Sequence, residues 1–181
     1  MEKIWLKSYP EGIPADVDTK KYQNIVEILE NSFGKYAASD AFHNMGKTLT
    51  YREIEWKSRK VASYFQNDLK LKKGDRIAIM MPNLLQYPIA LFAALRAGLV
   101  VVNVNPLYTA RELQHQLVDS QAKAILIFTN SAHILQKILP ETSVEHVMVT
   151  NIGDMLGVPK SFIVNFVIKH IKKMVPPWDI K

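Results

Sequence analysis

Between Arg76 and Val104 the chain reads RIAIMMPNLLQYPIALFAALRAGLVVVNV, and this stretch restricts the fold more than any other. Arg76 to Met81 is an apolar run of strand length stopped by Pro82-Asn83. Leu84 to Ala97 is apolar almost all round, the pattern of a helix buried on every side. Pro88 falls in its first turn, where a missing N–H is tolerated, and Gly98 stands where a C-capping glycine belongs. Leu99 to Val104 is nearly continuous and β-branched, as a central parallel strand would be. A strand, a buried helix and a second strand joined by short links form a βαβ unit, whose sheet must be covered on both faces.

The flanking sequence extends the same alternation. Tyr22 to Tyr36 places Ile25, Ile28, Leu29, Phe33 and Tyr36 at helical spacing. Ala41 to Tyr51 reads as a hairpin turning at Asn44–Lys47. Thr50 and Glu53 then have the spacing of a capping box, opening a helix to about Asp68 that turns Ile54, Val61, Ala62 and Phe65 inward. Lys70 to Gly74 is a polar break. Thr109 caps a helix over Ala110 to Ser120. Ala124 to Phe128 is a strand, Ser131 to Leu139 a helix closed by Pro140, and Glu145 to Thr150 a further strand. The expected class is α/β, with a mostly parallel sheet flanked by helices. Residues 1–21, punctuated by Pro and Asp, are expected to form an extended arm.

Apolar residues make up 48% of the 181, enough for a sizeable core. The absence of cysteine excludes a disulfide framework, a thiolate zinc site and a cysteine nucleophile. No apolar stretch approaches the ~20 residues that span a bilayer, and the N-terminus lacks an apolar core of leader length. A cytoplasmic protein is therefore expected, and an integral membrane protein is not. The five histidines, His43, His115, His133, His146 and His170, show no metal-ligand spacing. Gly153 and Gly157, in NIGDMLG, lack the Lys-Ser/Thr that a phosphate loop requires. Arg52, Lys57, Arg59 and Lys60, near Trp56 and Tyr64, have Glu53 and Glu55 interleaved. They read as a solvated helix face, and no nucleic-acid partner is expected.

The charge is uneven. Residues 159–181 hold five lysines against one acid, Asp179, which is +4 of the formal +6. On a helical wheel of Lys160 to Val175, residues Ile163, Val164, Val167, Ile168, Ile171, Met174 and Val175 fall in one arc. Ser161, Asn165, Lys169, Lys172 and Lys173 fill the opposite side, with Phe162 and Phe166 outside the apolar arc among the lysines. This is a basic amphipathic helix, followed by Pro176-Pro177-Trp178, of a kind that lies on an anionic membrane surface. The membrane-facing candidates are Phe162, Phe166, Lys169, Lys172, Lys173 and Trp178. The competing reading packs the apolar arc on further protein.

Three segments taken together resemble the N-terminal portion of the adenylate-forming acyl-CoA synthetase family. They are Leu49-Thr50-Tyr51-Arg52-Glu53-Ile54, the LKKGDRIAIMMP of Leu71 to Pro82, and Leu95-Arg96-Ala97-Gly98 running through Asn105-Pro106-Leu107-Tyr108-Thr109 into Arg111-Glu112-Leu113. Finer features are similar to the bacterial long-chain fatty acyl-CoA ligases: Pro82 to Pro88, Asn103 to Thr109, the Val164 to Lys172 tail, and Ile4-Trp5-Leu6 with Tyr9-Pro10 in the arm.

The resemblance implies a two-step reaction. A fatty acid carboxylate attacks the α-phosphate of ATP, with Mg²⁺, giving an acyl-adenylate and pyrophosphate. The sulfur of coenzyme A then displaces AMP. The family's Ser/Thr/Gly-rich loop with its lysine, its Tyr-Gly-x-Thr-Glu segment, its ribose-binding Asp and its C-terminal Lys are not in this sequence. No catalytic, cofactor-binding or metal residue is therefore assigned, and the chain alone is expected to be inactive. The expected organisation is an arm at 1–21, an α/β subdomain at 22–158 and a basic helix with tail at 159–181. The arm would lie against the remainder of the same polypeptide or a second copy in a homodimer, and the whole would be cytoplasmic, peripheral on the inner face of the membrane. The rival readings are another acyl- or aryl-CoA ligase, and a free-standing membrane-surface or interaction module. The Asn105 to Thr109 loop, at the end of a strand, reads either as a pocket wall or as a turn and cap for the next helix.

Overall fold

The computed structural model describes residues 2–180, so Met1 of the arm and Lys181 of the tail lie outside the described residues. A four-stranded parallel sheet lies between two layers of helices. The first helix, α1 (Ile25–Lys35), is capped by Asn24, whose side chain accepts from the Glu27 N–H. β1 (Asp40–Asn44) and β2 (Lys47–Thr50) form an antiparallel hairpin. Met45 and Gly46 at its tip have φ of 49° and 74°, the pair of left-handed residues that a two-residue hairpin turn needs.

The next helix, α2 (Tyr51–Asn67), starts with the expected capping box of Thr50 and Glu53. It leads to β3 (Arg76–Met80), α3 (Gln86–Arg96) and β4 (Val100–Asn103). Gly98 ends α3 as expected. With φ +74°, its N–H donates to the Leu95 carbonyl while that of Leu99 reaches the Ala94 carbonyl, a complete Schellman closure. Next come α4 (Ala110–Ser120), capped by a second box of Thr109 and Glu112, β5 (Ala124–Phe128), α5 (Ala132–Ile138) and β6 (His146–Thr150). The last helix is α6 (Lys160–Phe166), continued by a π-helical turn at Val167–Ile171.

The strand order is β4-β3-β5-β6, all parallel, with Ala78 opposite both Val102 and Ile125, and Ile125 opposite Val147. From β3 the chain steps outward to β4, then crosses back to lay β5 on the other side of β3. Right-handed crossovers taken in opposite directions place their helices on opposite faces. Accordingly α2 and α3 pack Ala62, Phe65, Ala93, Ala94 and Ala97 against Ile77 and Ala124. On the other face α4 and α5 pack Leu113, Leu117, Leu135 and Ile138 against Ala78, Met80, Ile125 and Ile127. Successive residues of β3 and β5 thus serve opposite faces.

The Leu99 to Val104 strand, expected to be central, is instead a margin of this sheet, with Val100 49% exposed, and β3 and β5 are the interior strands. Its β-branched run suits either place; the return crossover of α4 decides. The arm contains one 3₁₀ turn, Ile4–Ser8, and is otherwise irregular and mostly exposed.

Candidate functional site

In an open parallel sheet the ligand-binding side is the carboxyl edge, at the point where strand order reverses. Here that point lies between β3 and β5. The loops gathered there are Met81 to Leu85, Asn103 to Thr109, Phe128 to Ser131 and Thr150 to Leu156. The chain's own tail occupies part of the edge. The Trp178 indole N–H donates to Thr129 Oγ1 (3.4 Å), the Asp179 N–H donates to Gln136 Oε1 (2.8 Å), and Ile180 packs on the core of α4 and α5. Ser131 Oγ donates to the Pro106 carbonyl. Asn130 Oδ1 and His133 Nδ1, just beyond β5, are buried without a partner.

In the Asn105 to Thr109 loop the Asn105 and Thr109 side chains hold the loop's own shape. Asn105 Oδ1 accepts from the Leu107 N–H, the Tyr108 N–H returns to the Asn105 carbonyl, and Thr109 caps α4. Glu112 closes that box, and the Thr109 backbone N–H it accepts holds its carboxyl below the ordinary value of 4.5. The turn and cap are both formed, and Leu107 between them is exposed.

Beyond β6 a chain of hydrogen bonds links the core to the basic helix. Gln86, buried at the start of α3, donates to Thr150 Oγ1 (3.1 Å) and to the Asn151 carbonyl (2.7 Å). Thr150 Oγ1 donates to Asp154 Oδ2, which also accepts from the Asn151 N–H. The other Asp154 oxygen accepts from Asn165 Nδ2 (2.9 Å), and Asn165 Oδ1 accepts from the Gly153 N–H (2.8 Å). Above this chain lies an apolar cavity of about 260 Å³, bounded by Val61 and Phe65 of α2, Ile89 of α3, Leu126 of β5, Met148 of β6, and Met155.

This seating differs from the helical wheel. Ser161, Val164, Asn165, Val167 and Ile168 are half-buried against the body. Asn165, assigned by the wheel to the side of the lysines, is therefore the anchor, and Ile163, Ile171 and Met174 of the supposed inner arc are exposed. Two physical reasons account for this. The anchoring partners, Gly153 and Asp154, come from another loop. The π turn, in which the Lys172 N–H reaches the Val167 carbonyl, also shifts the phase of the residues after it. The chain leaves the helix after Ile171, with Lys173 at φ 51°, rather than running helical to Val175.

The membrane-facing candidates thus fall into two places. Phe162 (70% exposed) and Phe166 (59%) of α6, Lys169 of the π turn, and Lys172 and Lys173 just after it are all exposed. Trp178 is apart from them, half-buried on Thr129. The polar chain Gln86–Thr150–Asp154–Asn165 was not found from sequence, and the only local hint was the turn-forming Asn-x-Gly-Asp at 151–154.

On α2, Arg59 pairs with Glu30 and Glu55, while Lys57 and Lys60 lie over the Trp56 ring. Among the described residues no three His, Cys, Asp or Glu side chains come together as metal ligands, and no helix is long and apolar enough to cross a membrane. The hydroxyls at the β3–β5 crevice are spent on Trp178 and Pro106.

A three-layered, doubly wound sheet of this kind matches solved ligases. A long-chain-fatty-acid–CoA ligase from Archaeoglobus fulgidus superposes with a TM-score of 0.64 over 77% of this chain and 29% of its own, at 23% identity. Residues 29–179 match the family described as AMP-binding enzyme. The chain belongs to that family. It is 54% identical over 180 residues to the long-chain-fatty-acid–CoA ligase of Salmonella typhimurium, and 55% over 178 to that of Yersinia pestis. These alignments take in 99% and 98% of this chain but 32% of each relative, so the chain spans about a third of their length.

Proposed function

We propose that the chain is the N-terminal portion of a long-chain fatty acid–CoA ligase. The parent protein would use ATP and Mg²⁺ to convert a fatty acid to its acyl-adenylate, then transfer the acyl group to coenzyme A with release of AMP. The observation that carries this reading is the identity of 54% sustained over 99% of the chain with a ligase of that name. The chain's part is scaffold: a rigid sheet whose carboxyl edge is shaped by capped loops. The groups that meet the phosphates and the thiol belong to the rest of the polypeptide, and the 181 residues alone are inactive.

The organisation that goes with this reading is an arm at 1–21, an α/β subdomain at 22–158 and a basic helix with tail at 159–181. The exposed Ile4, Trp5, Ile13 and Val17 of the arm support a role in gripping the remainder of the polypeptide or, in a homodimer, a second copy. The parent would be cytoplasmic and peripheral on the inner face of the membrane.

The test is acyl-CoA formation by the full-length polypeptide offered hexanoate, palmitate and an aromatic acid with ATP, Mg²⁺ and CoA. The expected result is preference for palmitate, with no product from the 181-residue chain. Preference for the aromatic acid would replace the fatty acid assignment, and product from the 181-residue chain would overturn the scaffold role.

A further inference from the structure

We propose that the outward side of α6 and its π turn is the surface by which this protein meets an anionic lipid bilayer. This deepens, and rests on, the peripheral location proposed above. The helix is fixed by its polar Asn165, which faces the body beside the half-buried Val164, Val167 and Ile168 and is bonded to Gly153 and Asp154, while Phe162, Ile163 and Phe166 are exposed to solvent. Phe162, Ile163, Phe166, Ile171 (63%) and Met174 are all exposed within thirteen consecutive residues, 162 to 174. Large apolar side chains exposed in one short segment, rather than scattered singly, point to a contact.

Charge selects the occupant. From Met155 to Trp178 there is no acidic residue. Lys160 reaches the Met45 carbonyl on the β1–β2 hairpin, while Lys169, Lys172 and Lys173 make no ion pair among the described residues. Burying this side against protein without matching carboxylates would strip water from three ammonium groups, which is costly. A lipid headgroup layer avoids that cost. It takes the phenylalanines into the acyl boundary and leaves the lysines among phosphates, their stems lying along the apolar side chains. Each lysine near an anionic surface contributes about a fivefold factor in partitioning.

The experiment is co-sedimentation of the full-length polypeptide with vesicles of phosphatidylcholine alone and with 30% phosphatidylglycerol, with hydrogen exchange followed over residues 160–174. Binding is expected on the anionic vesicles only, to weaken in high salt, and to slow exchange over 160–174 beyond its rate in the free protein. K169E/K172E/K173E is expected to weaken partitioning by at least about a hundredfold. F162S/F166S should weaken it while leaving the salt dependence. Both variants alter exposed side chains, so an unchanged thermal midpoint serves as the folding control. Three results would overturn the proposal: equal binding to neutral vesicles, variants that bind like the parent, or exchange over 160–174 that vesicles leave unchanged in a protein that does not sediment. The last would mean that the remainder of the polypeptide covers this side. Acyl-CoA formation from soluble hexanoate and detergent-dispersed palmitate, measured on the same preparations, separates this outcome from failure of the ligase reading.

Discussion

Gly153 has no room for a side chain: a Cβ there would stand 2.7 Å from Asn165 Oδ1 and 2.8 Å from the Ser161 carbonyl oxygen. The backbone conformation at this position is ordinary, so the glycine is required by close approach alone. Gly153→Ala is expected to push α6 off its loop, at a cost of about 1–3 kcal/mol, and to speed amide exchange at Gly153 and through α6 while leaving the sheet protected. An unchanged exchange pattern would show that Asn165 is not the anchor. Gly98 is a glycine for the other reason. At φ +74°, with Lys73 Cγ 3.1 Å from a would-be Cβ, Gly98→Ala is expected to cost about 1–2 kcal/mol in urea unfolding. The role of Gly98 is legible in sequence because it depends on its immediate neighbours. That of Gly153 is not, because its neighbour is twelve positions away.

At the scale of elements, the two capping boxes show what local sequence can fix. Glu53 accepts from the Thr50 backbone N–H, and this bond holds its carboxyl below the ordinary 4.5. Glu112 is held down likewise by Thr109. Asp75 lies below its usual 3.8 through the Lys123 ammonium and the Lys72 N–H. In each case the folded carboxyl is the stronger acid, so its stabilisation is complete above the unfolded value and is lost as pH falls through the folded one. Unfolding stability is therefore expected to be flat from pH 7 to 5 and to fall below about pH 4.5, with Glu53→Gln flattening part of that slope. Thr50→Ala is expected to cost about 1 kcal/mol at neutral pH.

Where an element sits is a different matter from whether it forms. The Leu99 to Val104 run predicted a strand correctly, but its marginal place is set by where β5 inserts, and no window of sequence holds that information. The same holds for α1, α2 and α3. Their helical periods were readable, yet beside the apolar cluster of Phe33, Ile54 and Ile89 they share a polar tie: the Arg96 guanidinium, 8% exposed, paired with Glu30, bonded to Ser58 Oγ (3.2 Å) and stacked over the Phe33 ring. Glu30→Ala would strand that cation, and a loss of about 2–3 kcal/mol is expected. A loss under about 0.5 kcal/mol, the size of a surface pair, would show the contact to be incidental.

For the whole molecule, the sheet order and the two helix layers leave one side better finished than the other. The amino edge is tied down by Arg76 reaching the Ser120 and Gln121 carbonyls and by the Lys123–Asp75 pair. The carboxyl edge carries the orphaned Asn130 and His133 atoms, and α6 beyond it has an exposed side, while the apolar cavity opens between α2, α3 and the β5–β6 face. The fold class and family were legible from residues because a βαβ unit and three spaced segments are local patterns repeated in order. The candidate surface was legible in its residue types, and its orientation was not. The central claim is that these residues are the N-terminal third of an acyl-CoA ligase and supply scaffold to its active site. The most direct measurement is to read the gene past the codon for Lys181. The account predicts an uninterrupted frame with a Ser/Thr/Gly-rich loop bearing a lysine soon after, and a frame closed at once by a stop codon would contradict it.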